Sequence, residues 1–183
     1  MSKAILVVDL EGTCVESIHA AKDAESEVIE IGAVVVQDGR LVESFGRLVR
    51  PVIRPILSDF CKKLTGITQE QVDQAQKFPL VWDEFLNWTS RFGPHVWTSW
   101  GSYDLIALDR DTQRIGAKVP WAYKDLAAVF VRHTRRRANH RRAMKILGLC
   151  PEGAHHRGES DARNVAAVYL EMQRRAWVDW KID

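Results

Sequence analysis

The apolar positions of this chain begin with a short unbroken run at residues 4–8, Ala-Ile-Leu-Val-Val. A β-rich run of that length with no polar interruption predicts a strand buried on both faces. It leads directly into Asp9-Leu10-Glu11. Residues 15–27 are polar and without period, which predicts a loop. Residues 28–37 predict a second strand, and Asp38-Gly39 after them is a strong hairpin-turn signal. Residues 41–49 return as a third strand with Leu41, Phe45 and Val49 as apolar positions, ended by Pro51 and Pro55.

Helical spacing takes over from there. Ser58-Asp59 caps a short helix through Leu64 that Gly66 stops, and Thr68-x-x-Gln71 is a capping box with Glu70 in the following first turn. Pro79 opens a longer helix with Val81, Phe85, Trp88 and Phe92 along one face. Its tryptophans read as core rather than as a stacking platform. Residues 95–100 predict a fourth strand, which Gly101-Ser102-Tyr103-Asp104 turns into a helix at 105–115. Residues 121–126 predict a short fifth strand, with helices at 127–133, 143–147 (stopped by Gly148) and 160–175. Trp177 and Trp180 suit either the edge of the core or a contact between copies. An early hairpin followed by alternating strands and helices predicts an α/β fold, a mixed five-stranded sheet flanked by helices.

Composition adds bounds. At 183 residues the expectation is a single domain spanning 1–183, and 46% apolar with 27% charged residues is ordinary for a soluble globular protein. No run approaches the ~18–20 apolar residues of a membrane span, so no membrane partner is expected. The start Met-Ser-Lys-Ala lacks signal-peptide architecture. Cys14, Cys61 and Cys150 are scattered without CxxC spacing, which fits reduced thiols and a cytoplasmic location. Cys150 with His155 and His156 makes a poor tetrahedral zinc set. The net charge of +2 conceals six arginines at 132, 135, 136, 137, 141 and 142, with no acid among them. Outside that stretch 20 basic residues face 24 acidic ones, so the positive charge is local and points to a polyanion at one place. A solvated helix face is the plainer account of the same arginines.

Candidate chemistry centres on carboxylates. On a strand, Asp9 and Glu11 share one face roughly 6–7 Å apart. At an effective dielectric near 20 they repel by about 2–3 kcal/mol. Either both lie in a solvated loop past the strand, or a hard cation such as Mg²⁺ sits between them. Asp104 falls where a strand gives way to a helix, a common place for ligands in open α/β sheets and equally for a helix-dipole partner. Asp161 lies one turn before Val165, Val168, Tyr169 and Met172 on the apolar stripe of the last helix, so it points at the sheet and needs a partner. An arginine or the cation of Asp9 and Glu11 would serve. His156, five residues earlier, has a side chain suited to proton transfer near neutral pH.

Asp9-x-Glu11, a central Asp104 and His156-x4-Asp161 together resemble the motifs of the DEDDh 3′–5′ exonucleases, the DnaQ-like group of the ribonuclease H-like fold. The likeness runs from about residue 4 to 172. Residues 49–75, Asp9-Leu10-Glu11-Gly12-Thr13-Cys14 and Trp100-Gly101-Ser102-Tyr103-Asp104 resemble the histone-mRNA and RNA-interference exonuclease branch. Leu10 and Gly12 depart from its more usual Asp-Phe-Glu-Ala-Thr-Cys. The resemblance implies a ribonuclease H-like sheet and hydrolysis of single-stranded RNA or DNA from the 3′ end to 5′-mononucleotides. It also implies two Mg²⁺ (or Mn²⁺) ions held by Asp9, Glu11, Asp104 and Asp161, with His156 as general base. Gly12, Thr13, Ser102 and Tyr103 would meet the terminal nucleotide, and Arg135, Arg136 and Arg137 the strand behind it. RNA is the expected polymer. A DNA-preferring exonuclease, a catalytically silent nucleic-acid-binding module and a small-molecule phosphodiesterase remain as alternatives; the retained acids and base argue against the silent module, and the arginines favour a polymer.

Overall fold

Alternation along the first strand sets the architecture. In β1 (Ile5–Gly12), Ile5 and Val7 face one core while Leu6, Val8 and Leu10 face another, and all five are buried. The computed structural model describes residues 4–16, 23–93, 96–178 and 180, so 17–22 of the expected loop and the first residue of the expected fourth strand, His95, lie outside it. β2 (Val28–Gln37) pairs antiparallel with β1, and β3 (Arg40–Arg50) antiparallel with β2. Between them Asp38 and Gly39 both take positive φ, 53° and 70°, as a two-residue hairpin turn of the I′ kind requires. A register shift at Val35/Val36 sets an extra residue into β3. Side chains before and after such a bulge change faces. Leu41 therefore packs in the Ile5 core, whereas Phe45 and Val49 pack in the Leu6 core, although their spacing suggests one face.

Two short helices follow, α1 (Asp59–Thr65) and α2 (Gln69–Gln74), capped by Ser58 and by the Thr68–Gln71 box. Next come β4 (Gln76–Lys77), α3 (Phe78–Ser90), β5 (Val96–Ser99), α4 (Tyr103–Arg114), β6 (Ala122–Asp125) and α5 (Leu126–Thr134). The chain continues through α6 (His140–Leu147) and α7 (Gly158–Arg174). The sheet order is β4-β3-β2-β1-β5-β6, with β5 parallel to β1 and β6 parallel to β5. Among the described residues it has six strands rather than the expected five. The extra one, β4, is two residues long, too short to leave a period, and pairs only with the end of β3.

Helices α3 and α4 cover the Leu6 face through Val81, Trp82, Phe85, Trp88, Ala107 and Leu108. Helices α5, α6 and α7 cover the Ile5 face. Trp177 and Trp180 pack at the edge of that second core, Trp180 with its ring 5.3 Å from Tyr169. Helix α7 comes nearest the sheet at two glycines. A Cβ on Gly32 would lie 1.8 Å from the Gly158 carbonyl carbon, and one on Gly158 would lie 3.0 Å from the Asp9 carbonyl oxygen. No side chain fits between the first turn of α7 and the middle of the sheet. That close approach carries Asp161 over β1.

Candidate active site

Past Val7 the same face of β1 presents Asp9 and then Glu11. The strand holds its pairing as far as Glu11 opposite Glu30, so both carboxylates belong to the strand and not to a loop beyond it. Asp161 of α7 joins them, with carboxylate oxygens of Asp9, Glu11 and Asp161 within 4.8 Å of one another. Asp104 enters from the start of α4, where its Oδ1 accepts a hydrogen bond from the Leu10 N–H at 2.8 Å. Glu11, Asp104 and Asp161 are buried, and Asp9 is half-buried. His156, in the turn before α7, places its Nδ1 3.8 Å from Glu11 Oε1. All five line one open cleft of about 450 Å³ at the carboxyl ends of β1 and β5. This is the place where open α/β sheets bind ligands.

The acids do not share one electrostatic condition. Burial, then the charges of Asp104, Glu11, Asp161 and Glu30, push Asp9 well above the usual carboxylate range. Burial, then Glu30, pushes Glu11 up to about 9. Asp104 is pushed up to about 6 by burial, opposed by its bonds from the Leu10 N–H and the Ser99 hydroxyl. Burial pushes Asp161 the same way, but hydrogen bonds from His140, His155 and the His156 N–H more than reverse it and hold it well below the usual range. Burial, then neighbouring His155, lowers His156, so the neutral imidazole dominates at pH 7. Carboxylates gathered in one cleft, with Asp9, Glu11 and Asp104 raised first by burial, form a donor set of oxygens alone, which is what hard divalent cations take. The residues fit such ions.

The other expected contacts divide. Gly12 and Tyr103 line the cleft. A Cβ on Gly12 would meet the Tyr103 hydroxyl at 2.3 Å, so the missing side chain leaves room for that hydroxyl. Thr13 is buried beside the cleft, its hydroxyl accepting from the Glu27 N–H at 2.9 Å. Ser102 is exposed at the N-cap of α4 and makes no capping bond. Arg135, Arg136 and Arg137 are exposed on the connection from α5 to α6 and do not line the cleft, but Asn139 and His140 just after them do.

Sequence reasoning missed several members. His140 is buried with Nε2 3.0 Å from Asp161 Oδ1. Its position in the arginine-rich stretch disguised it, yet Asn139, whose side chain caps α6, was a readable helix-start signal. Leu64 and Trp100 supply apolar wall. Buried Glu30 accepts from the Arg157 guanidinium at 3.0 Å and from the Gly158 N–H at 3.0 Å, tying the His155–His156 turn to β2. Nothing local in the sequence pairs residues 30 and 157.

The exonuclease (RNase T) family model matches residues 6–169. The chain belongs to that exonuclease family. Among its exonuclease relatives, zebrafish (Danio rerio) ERI1 exoribonuclease 2 is 31% identical over 194 residues, covering 92% of this chain and 34% of that protein. Human (Homo sapiens) 3′-5′ exoribonuclease 1 is 30% identical over 183 residues, covering 92% of this chain and 52% of that protein. The chain thus spans about a third and about half of these relatives' lengths. A solved structure of the nuclease domain of 3′hExo, a DEDDh family member, bound to rAMP, matches with a TM-score of 0.86 at 28% identity. The match covers 95% of this chain and 93% of that one. The fold is ribonuclease H-like, and in a DEDDh exonuclease fold it implies divalent metal ions.

Proposed function

We propose that this chain hydrolyses single-stranded nucleic acid from its 3′ end, releasing 5′-mononucleotides, with RNA preferred over DNA. The observation that carries this is the convergence of Asp9, Glu11, Asp104 and Asp161 with His156 in one open cleft, where three of the acids are pushed upward. The four acids would hold two Mg²⁺ or Mn²⁺ ions. When bound, such a pair supplies an activated water and offsets negative charge on the attacking and leaving oxygens.

The chain's own residues do the rest. Asp9 and Glu11 are fixed by the rigid strand between β2 and β5, and Asp104 by the Leu10 N–H. His156 is the general base; its lowered proton affinity leaves the imidazole free to take the water's proton at the cleft. The Arg157–Glu30 ion pair holds the turn that carries it. Leu64, Trp100 and the Tyr103 ring give the terminal base an apolar wall. Arg135, Arg136 and Arg137 attract the phosphates of a longer strand toward the wall formed by Asn139 and His140.

RNA preference rests on the relatives named exoribonucleases. Matched single-stranded RNA and DNA oligomers, digested with Mg²⁺ and resolved by chromatography, test the proposal. It expects 5′-mononucleotides from both and faster release from RNA. Faster release from DNA reverses the substrate assignment, and absence of mononucleotides from either defeats the reading.

A further inference from the structure

The sequence sets zinc aside because Cys150, His155 and His156 form a poor set, but the fold assembles a different one. His140, at the start of α6, and His155, in the turn before α7, converge on one carboxylate. His140 Nε2 lies 3.0 Å from Asp161 Oδ1, and His155 Nδ1 lies 3.0 Å from Asp161 Oδ2. One donor atom from each of the three residues falls within 4.8 Å of the other two. The two rings meet edge to face with centroids 5.3 Å apart, each with one nitrogen at the carboxylate.

We propose that His140, His155 and Asp161 form a transition-metal site that takes Zn²⁺, and that Zn²⁺ there competes with the catalytic ions for Asp161. Two donors each about 2.0–2.1 Å from a tetrahedral zinc lie roughly 3.3–3.4 Å apart, so the 3.0 Å nitrogen-to-oxygen separations on both sides of Asp161 need to open by only a few tenths of an ångström to admit the ion. The open cleft leaves a position for water or a phosphate oxygen. Donor chemistry separates the two sites. Imidazole nitrogens suit Zn²⁺, Co²⁺ and Ni²⁺, whereas the oxygen-only set of Asp9, Glu11 and Asp104 suits Mg²⁺ and Mn²⁺. One imidazole would be enough to orient Asp161, which also accepts from the His156 N–H at 2.7 Å. A second nitrogen on the same carboxylate is what a metal set adds. Competition follows because Asp161 belongs to both groups; that part rests on the proposed function, while the binding itself does not.

The test starts from chelator-stripped protein titrated with Co²⁺ and with Zn²⁺ in the absence of nucleic acid. Binding is read from the visible bands of Co²⁺ in a nitrogen-containing site and from displacement by Zn²⁺. The parent and Asp9→Asn are expected to give the same bands. His155→Ala, at a surface position, and His140→Gln are each expected to weaken Zn²⁺ binding by at least the ~10–100-fold that removal of a merely supporting partner costs. Melting curves of both variants confirm that they are folded. Zn²⁺ should then slow Mg²⁺-supported hydrolysis by the parent more than by His155→Ala. Unchanged Zn²⁺ affinity in both histidine variants, or loss of the Co²⁺ bands in Asp9→Asn, overturns the site. Undiminished hydrolysis with the site filled overturns the competition. Bands without any hydrolysis in Mg²⁺ leave the site standing and defeat the exonuclease reading instead.

Discussion

Neutralising Asp9 should make the metal-free protein more stable and the Mg²⁺-bound protein relatively less so. Oxygens of Asp9, Glu11 and Asp161 lie within 4.8 Å of one another. At that distance and an effective dielectric of about 20, each ionised pair repels by about 3.5 kcal/mol or more. Without a cation the cluster evades part of this by keeping protons: Glu11 rises from 4.5 to about 9, first through burial and then through the charges of Glu30, Asp161 and Asp104. A carboxyl raised on folding contributes stability that is fully present below its unfolded value and is lost as pH rises through its folded one. For Glu11 that window runs from 4.5 to about 9, so the metal-free parent should melt progressively lower between pH 6 and pH 9. At pH 8, Asp9→Asn should recover about 1–3 kcal/mol, or roughly 2–10 °C in melting temperature for a chain of this size. Mg²⁺ at a hundredfold excess over its Kd should stabilise the parent by about 2.7 kcal/mol. The variant should gain far less. Mg²⁺ is the right ion, since imidazole nitrogens do not favour it. Thermal melts in EDTA and in Mg²⁺ measure all four states. Equal stabilisation of parent and variant by Mg²⁺, or a lower metal-free melting temperature for Asp9→Asn at pH 8, would refute the reasoning.

Three further outcomes are expected. His156→Ala should lower the single-turnover rate by about 10²–10⁴-fold with binding little changed, and His155→Ala far less; the reverse ranking would move the base to His155. Gly32→Ala puts a Cβ 1.8 Å from the Gly158 carbonyl carbon, so α7 must lift from the sheet. Stability should fall by about 1–3 kcal/mol or more, with activity falling beyond it, whereas a neutral effect would show that α7 does not depend on that crossing. Changing Arg135, Arg136 and Arg137 together to Gln should weaken long single strands of any sequence and flatten the log–log salt slope by about 0.7 for each phosphate no longer neutralised. Dinucleotides should be cleaved nearly as before; equal losses on long and short substrates would remove the arginines from the track.

Elements with local causes were legible from the sequence. Residues 28–37 form β2 at those limits, the Asp38-Gly39 hairpin forms, and the caps at Ser58, Thr68 and Gly66 lie where side-chain chemistry puts them. Strand alternation set Asp9 and Glu11, and helix periodicity Asp161, on faces that the fold brings together, whereas Asp104 and His156 stood out only through the resemblance to the exonuclease motifs. What depends on distant neighbours was not legible. β1 runs on to Gly12 because β2 keeps pairing with it, which the apolar run ending at Val8 does not show. Leu41 changed faces through a bulge set by the partner strand. Thr13 spends its hydroxyl on the Glu27 N–H, and Gly12 makes room for Tyr103 at the start of α4. His140 read as one more positive residue until α6 folded it onto Asp161.

Cleavage polarity and its dependence on metal are the most direct test of the central claim. A single-stranded RNA labelled at its 5′ end is incubated with the protein in Mg²⁺ or in EDTA and resolved by length. The expected result is a ladder shortening one nucleotide at a time from the 3′ end in Mg²⁺, with the label staying on the shrinking strand, and an intact strand in EDTA. Early release of the label as a mononucleotide, cleavage that persists in EDTA, or a bound strand that never shortens would contradict it.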